Sequence, residues 1–294
     1  MKARLKELLK AWELLSVIGV ALLLAGSAIT FALFDIGAGD PPPPETIKLD
    51  PAFSFEEQAT LRQAIEDVRL GVEELTGRKT LYGRIYLYRS RKGLEDAMDI
   101  EGRPRGPLFG LIPFVTSGTR TDTLLGHDLY IDFGVPGSEE PAVRYQTLAR
   151  AYFNLYRYDA SNAYSNTNIP YWLSAGMTEY FANQVQRVRF PEAAEAGRRQ
   201  WQADAAKVYV GLATLSGRAA PATLEPAAAR ALAIASAEFF ASRLGDATML
   251  KFWTELGVGD GWEAALKRSF GFDANTAYAQ FDASRGVQSA SAAR

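Results

Sequence analysis

The chain has 294 residues, of which 48% are apolar and 12% aromatic, and its formal net charge at neutral pH is −2. This near balance of charge argues against the strongly basic face that nucleic-acid binding requires. The sequence has no cysteine and a single histidine, His127, which excludes disulfides, iron–sulfur clusters, thiol catalysis and a zinc site built from His and Cys.

Residues 14–34 form an apolar segment without a single charge. A helix of roughly 20 apolar residues crosses the ~30 Å hydrocarbon core, so Leu14 to Phe34 predict a single transmembrane anchor. The basic excess in residues 1–13 predicts that these stay in the cytoplasm and that the rest of the chain lies outside. A cleaved signal peptide is the alternative, because the small residues Gly26 to Ala28 suit a cleavage site.

Residues 35–50 predict a linker, because they contain the run DPPPPE from Asp40 to Glu45. Consecutive prolines form a stiff, extended spacer without internal hydrogen bonds. One extracytoplasmic domain is predicted to follow over residues 51–285. The small and polar residues after it predict a disordered tail over residues 286–294.

The domain is predicted to begin with a helix. Ser54 and Glu57 match a capping box, and Gly77 marks the end of the helix. Between these signals, apolar residues recur at helical spacing at Leu61, Ile65, Val68, Val72 and Leu75.

The fold class predicted for the whole domain is α+β. Three β-prone runs, residues 81–89, 108–117 and 129–133, predict a small mixed or antiparallel sheet lobe of about three or four strands. A larger helical lobe is predicted from Pro141 onward, with helices over residues 142–158, 170–188, 191–210, 226–244, 247–256 and 262–270.

Two of these helical segments carry a recognisable layout. One begins at Val143 with VRYQTLARAYFNLY, and the other begins at Ile169 with IPYWLSAGMTEYFA. The layout resembles the gluzincin, or peptidase-MA-like, zinc metallopeptidases, in which one helix carries H-E-x-x-H and a second opens with P-x-W-L-x-E-G-x-A-E-Y. The order of helix, strands and later helices extends the resemblance over roughly residues 50–285, and it implies a gluzincin-like fold.

The resemblance places the metal ligands of that family at positions that hold other residues here. Arg150 stands at the first His, Ala151 at the Glu that acts as general base, Asn154 at the second His and Ala175 at the third-ligand Glu. None of these residues is a usual zinc donor. The resemblance therefore implies a degenerate site with no catalytic residue, no metal and no cofactor.

The residues that would line the former cleft are Arg150, Asn154, Trp172, Glu179 and Tyr180. A guanidinium beside an amide suits an anion or a peptide carboxylate, so one hypothesis is a repurposed binding pocket. The alternative is a collapsed cleft in which Arg150 pairs with Glu179, because a buried arginine needs an acceptor. Glu179 has a structural role in this alternative, and dense aromatic residues such as Trp172 and Tyr180 are more typical of a core.

Two further residues, His127 and Ser174, are candidates for catalysis but lack a supporting pattern. His127 precedes Asp128, but adjacent residues of a strand point to opposite faces. Ser174 lies in WLSAG, which lacks the first glycine of a nucleophile elbow.

We predict from these features a membrane-anchored, catalytically inactive metallopeptidase homologue of bacterial type. It would bind a protein or peptide partner outside the membrane and would need no nucleic acid or cofactor. One alternative is a structural accessory subunit of a larger membrane complex, in which residues 14–34 make the main contact. A metal-independent hydrolase is the other alternative.

Overall fold

The computed structural model describes residues 47–79, 85–90, 92–93, 96, 112–116, 120–125, 128–133, 140–161 and 168–287. The predicted cytoplasmic segment, the predicted anchor at residues 14–34, most of the predicted linker, His127 and the tail from residue 288 lie outside these ranges. Within them, no helix is both long enough and apolar enough to cross a bilayer.

The first helix, α1 (Phe55–Thr76), has the ends that the sequence predicts. The Ser54 side chain accepts a hydrogen bond from the backbone of Glu57, and the Glu57 side chain accepts one from the backbone of Ser54. This reciprocal pair satisfies two donors at the start of the helix. Gly77 closes the helix with a φ of 66°, a left-handed conformation that glycine adopts without steric cost.

The sheet has five strands, which are β1 (Ile47–Leu49), β2 (Ile85–Tyr88), β3 (Ile112–Thr116), β4 (Arg120–Leu125) and β5 (Asp128–Asp132), in the spatial order β1-β2-β5-β4-β3. The strands β1, β2 and β5 are parallel, whereas β4 and β3 continue the sheet in antiparallel fashion. The sheet is therefore mixed, one of the two arrangements predicted. Two of its strands were not predicted from the sequence, because β1 lies in the predicted linker and β4 is rich in polar residues.

The parallel strands β2 and β5 are buried on both faces, whereas β1 is partly buried. Ile85 and Leu87 of β2 belong to the main hydrophobic core, together with Leu129 and Ile131 of β5. Alternate residues of a strand point to opposite faces, so Tyr86 and Tyr130 lie on the other side. Their rings stack there with centroids 4.5 Å apart, which is consistent with the side-by-side pairing of these two residues.

The second half of the described chain is helical, as predicted. It contains one short 3-10 helix (Leu212–Leu215) and seven α-helices, which are α2 (Pro141–Ala160), α3 (Tyr171–Arg189), α4 (Pro191–Ala206), α5 (Pro226–Leu244), α6 (Asp246–Leu256), α7 (Trp262–Phe270) and α8 (Ala274–Ser284). The observed architecture is therefore a mostly helical α+β fold with a small mixed sheet. The last helix, α8, was expected only from the resemblance.

Helix α3 lies at the centre of the helical part, with α2 and α5 packed against it. The contact with α5 is very close at Gly176, where a Cβ atom would lie 2.2 Å from the carbonyl oxygen of Ala233. The facing side of α5 carries buried alanines at helical spacing, Ala229, Ala233 and Ala237. Small residues on both helices allow the two backbones to approach, and this fixes the position of the α3 side chains that face α2.

Candidate functional site

Arg150 of α2 forms a buried ion pair with Glu179 of α3. The Nε atom of Arg150 lies 2.7 Å from Oε1 of Glu179, and its Nη2 donates a hydrogen bond of 3.2 Å to Oε2. The side chains are 1% and 2% exposed, respectively. The predicted alternative of an Arg150–Glu179 pair is therefore present in the structure.

A second guanidinium reaches the same carboxylate from α5. The Nη2 atom of Arg230 lies 2.7 Å from Oε2 of Glu179, so Glu179 lies between two arginines that come from two different helices. We refer to Arg150, Glu179 and Arg230 as the ion cluster. It connects α2, α3 and α5 with charge-assisted contacts, which are shorter and stronger than neutral hydrogen bonds.

Opposing effects act on the pKa of Glu179. Burial alone would raise it, but Arg150 and Arg230 together hold the pKa of this carboxyl below its usual range. The carboxylate in turn raises the pKa of Arg230. The ion cluster is thus charged at neutral pH, and each partner depends on the others because a lone buried charge is costly.

The lowered pKa of Glu179 predicts a loss of stability in acid. The ordinary pKa of a glutamate is 4.5, and that of Glu179 in the folded protein is lower. Such a carboxylate stabilises the fold above pH 4.5, and this stabilisation is lost as the pH falls through the folded-state pKa. Glu179→Gln cannot titrate, so its free energy of unfolding should approach that of the wild type below about pH 4.5. Urea unfolding of both proteins over a series of pH values measures this difference. A difference that stays constant down to the lowest pH would contradict the prediction.

Asn154 takes part in a second buried polar group, one turn after Arg150 on α2. Its Oδ1 accepts hydrogen bonds from Nη1 of Arg157, at 3.0 Å, and from Oγ1 of Thr178, at 3.2 Å. Arg157 also donates to the carbonyl oxygen of Ser174, at 3.0 Å, and its guanidinium lies 4.2 Å from the centre of the Trp253 ring. Burial lowers the pKa of Arg157 to about 9, which leaves it protonated at neutral pH.

The aromatic residues of the predicted cleft lie in the core. Trp172 is fully buried, and its ring lies 5.6 Å from that of Phe240 and 6.2 Å from that of Tyr278. Burial raises the pKa of the Tyr180 hydroxyl. The 3.0 Å hydrogen bond that this hydroxyl donates to Asp246 raises the pKa further. Both residues therefore stabilise contacts between helices, as the core interpretation predicts.

All five residues that were named as possible cleft residues lie in the interior of the protein. Arg150, Asn154, Trp172, Glu179 and Tyr180 are all buried. They belong to two neighbouring polar groups and an aromatic core, and none lines a solvent-exposed wall. Burial of the polar side chains is compensated by the hydrogen bonds and ion pairs described above.

The four positions that would hold zinc in a gluzincin have no fitting set of donors. Arg150 and Asn154 are engaged as described, Ala151 is fully buried, and Ala175 is half-buried one turn before Glu179. Glu179 is the carboxylate nearest to them on α3, and it is bound by two guanidiniums. In the ranges that the structure describes, no group of three or more His, Cys, Asp or Glu side chains could hold a metal ion.

Three residues that complete these polar groups, Arg157, Thr178 and Arg230, were not identified from the sequence. Arg230 carried a usable signal, because it is the one charged residue in the run PAAARALAIA at the start of α5. A charge in such an apolar helix needs a buried partner or an exit to solvent. Arg157 and Thr178 carried no signal that distinguishes them from surface residues of a helix.

Comparisons of the chain with protein-family models, with curated proteins and with solved structures found no match. The resemblance to the gluzincins consequently remains a hypothesis that rests on the residues of α2 and α3 and on the order of the elements.

Proposed function

We propose that this chain is a non-catalytic homologue of the gluzincin zinc peptidases and acts as a protein-binding scaffold domain. The observation that carries the proposal is the position of Glu179, which is 2% exposed and lies between Arg150 and Arg230 at 2.7 Å from each. In the proposed relationship, this cluster lies where a peptidase would hold its metal. An interior that is filled by ion pairs leaves the outer surface as the part available to a partner.

The geometry also bears on the proposal of a metal-independent hydrolase. Ser174 is the serine of the motif helix α3, and its Oγ donates to the carbonyl oxygen of Tyr171 at 3.4 Å. A serine nucleophile needs a base within hydrogen-bond reach of its hydroxyl. The contact to a backbone carbonyl supplies no such base, so the scaffold proposal has the better support.

The scaffold proposal is tested by purification of the full chain from its own membranes in mild detergent, followed by quantitative mass spectrometry. The matched control is a fusion of residues 1–46 to an unrelated soluble protein. If the domain binds the partner, specific proteins should be retained by the full chain and lost from the fusion.

Two other outcomes would decide against the proposal. Retention of the same proteins by the fusion would favour an accessory subunit that is held through residues 14–34. Hydrolysis of protein substrates by the purified chain, if abolished by Ser174→Ala, would favour the hydrolase.

A further inference from the structure

Helix α4 is attached to the domain differently from the other helices. Among the α-helices that the structure describes, it is the one that contributes no residue to the main hydrophobic core. Its 16 residues include only three that are buried, Ala194, Trp201 and Ala205. Its two neighbours in the chain, α3 and α5, both supply many residues to the main core.

A small separate core holds α4 against α5. It consists of Trp201 and Ala205 of α4 with Ala231 and Ile234 of α5, and we refer to these four residues as the side core. The two residues of each helix are three or four positions apart, which places each pair on one face of its helix. Hydrophobic stabilisation is roughly proportional to the apolar area that is buried, so four residues contribute far less than the main core does.

One carboxylate supplies most of the polar contact between α4 and α5. Glu238 of α5 accepts hydrogen bonds from Nε of Arg198 at 2.5 Å, from Nε1 of Trp201 at 3.2 Å and from Nε2 of Gln202 at 3.0 Å. The three donors lie on one face of α4 because they are three and four positions apart. The Glu238 side chain is 19% exposed, so water reaches the edge of this contact.

Two further hydrogen bonds hold the backbone of α4 near its ends. The Nδ2 atom of Asn183 on α3 donates to the carbonyl oxygen of Ala194 at 2.9 Å. The Nη2 atom of Arg285, which follows α8, donates to the carbonyl oxygen of Ala205 at 3.0 Å. These contacts can break without any loss of contact within the main core, because none of the four residues belongs to it.

The rest of the domain keeps its packing when α4 is absent from its place. Helices α3 and α5 contact each other directly at Gly176 and Ala233, and Ala233 belongs to the main core. Segments with few buried apolar contacts open at a lower free energy than the whole protein unfolds. Helix α4 has this property, whereas α3 and α5 do not.

We propose that α4 is a cover helix that opens as a unit while the main core stays folded, and that Glu238 controls how often it opens. Opening uncovers an apolar face on each of the two helices, with Trp201 on α4 and with Ala231 and Ile234 on α5. This conformational device is independent of the proposed scaffold function.

The proposal is tested by thiol labelling of the full chain in mild detergent. The sequence has no cysteine, so a single introduced thiol is a unique probe. Ala231→Cys places it in the side core, and Ala237→Cys places it in the main core on the same helix. Mass spectrometry measures the rate at which iodoacetamide labels each thiol. Labelling at position 231 should be at least tenfold faster than at position 237, because it requires only the opening of α4.

A second substitution in each labelled protein separates opening of α4 from global unfolding. Glu238→Gln weakens charge-assisted hydrogen bonds to α4, so it should speed labelling at position 231 about tenfold. The matched control is Leu256→Ala, which removes a fully buried side chain of the main core on α6. It should speed labelling at position 237 tenfold or more and leave position 231 unchanged, because the contacts of Leu256 are the same with α4 closed or open.

Thermal unfolding shows whether the variants are folded, and a series of urea concentrations below the unfolding transition replaces Leu256→Ala if that variant does not fold. Urea should speed labelling at position 237 more steeply than at position 231, since its effect scales with the surface that is exposed. Equal labelling rates at the two positions would overturn the proposal. Equal acceleration of both positions by Leu256→Ala or by urea would also overturn it, as would unchanged labelling at position 231 in Glu238→Gln.

Discussion

Addition of a single methyl group at Gly176 should destabilise the protein by about 3 kcal/mol or more, at the upper end of the usual cost of overpacking. The new Cβ would lie 2.2 Å from the carbonyl oxygen of Ala233 and 2.8 Å from its carbonyl carbon. Both are backbone atoms, so rotation of a side chain cannot relieve the overlap. Helices α3 and α5 would have to separate, which would also pull Arg230 from Glu179.

The matched control is Gly197→Ala in α4. A Cβ at Gly197 meets its nearest neighbour, a side-chain nitrogen of Asn183, at 3.7 Å, which is an ordinary contact. Alanine favours a helix by about 1 kcal/mol relative to glycine, so this variant should be as stable as the wild type or more stable. Thermal or urea unfolding of both variants measures the two effects. Equal stability of the two variants would contradict the close contact between α3 and α5.

Glu179→Gln should lower the free energy of unfolding by about 3–5 kcal/mol, the range observed when one partner of a buried ion pair is removed. The amide has nearly the same shape as the carboxylate, so the substitution leaves the packing in place and removes the charge. Arg150, which is 1% exposed, would then keep its charge without the carboxylate that it contacts at 2.7 Å. Arg230 would lose the same partner, but its side chain is 27% exposed and can turn to water.

The control for this variant is Glu74→Gln on the exposed side of α1. Surface substitutions of this kind usually change the free energy of unfolding by no more than about 0.5 kcal/mol. Urea unfolding at neutral pH compares the two variants directly. If Glu179→Gln lowers the free energy of unfolding as little as Glu74→Gln does, the ion cluster contributes little to the stability of the fold.

The sequence predicted the helical half well because its signals are strong and local. Pro226 opens α5 and Gly245 follows its last residue, and the observed bounds Pro226–Leu244 agree with the prediction. The bounds of α7, Trp262–Phe270, also agree. Its hydrophobic spacing and the glycines on both sides mark the ends. Such signals depend on neighbouring residues alone, so they can be read without the tertiary structure.

The sheet was predicted less completely because strand pairing depends on distant residues. Strand β1 has three residues and follows a proline-rich run, so its sequence IKL carries almost no periodic signal. Strand β4 reads RTDTLL, and its polar residues suggested a connection between strands. Both are held by hydrogen bonds to neighbours, β1 to β2 and β4 to β3 and β5. Tertiary context overrides a weak propensity in such strands.

The local features of the candidate site could also be predicted from the sequence, whereas its long-range contacts could not. Arg150 and Asn154 are four positions apart, which places them on one face of α2, and this face does contact α3, through Glu179 and Thr178. The sequence could not show that Arg230 of α5 closes this face, because Arg230 lies 80 residues after Arg150 in the chain. Whether a pair of polar residues lines a pocket or fills a core depends on such long-range contacts.

The ion cluster also explains how α2 and α3 remain packed in the proposed non-catalytic role. In a metal site, the ligands of two helices are joined through the ion, and the binding free energy is part of the folding free energy. Here, direct contacts between Arg150, Glu179 and Arg230 join the same two helices and add α5. We propose that this cluster stabilises the packing of the three helices.

A double-mutant cycle between Arg150 and Glu179 tests the structural role of the cluster. The variants are Arg150→Met, Glu179→Leu and the combination, and the measured quantity is the free energy of unfolding in urea. Glu179→Leu leaves Arg150 buried without its carboxylate, and Arg150→Met leaves Glu179 with Arg230 as its remaining partner. The double variant replaces the Arg150–Glu179 pair by apolar side chains. We predict that the double variant loses less free energy of unfolding than the two single variants lose together, by about 2 kcal/mol or more. Additive effects, within about 0.5 kcal/mol, would contradict a structural ion cluster at this position.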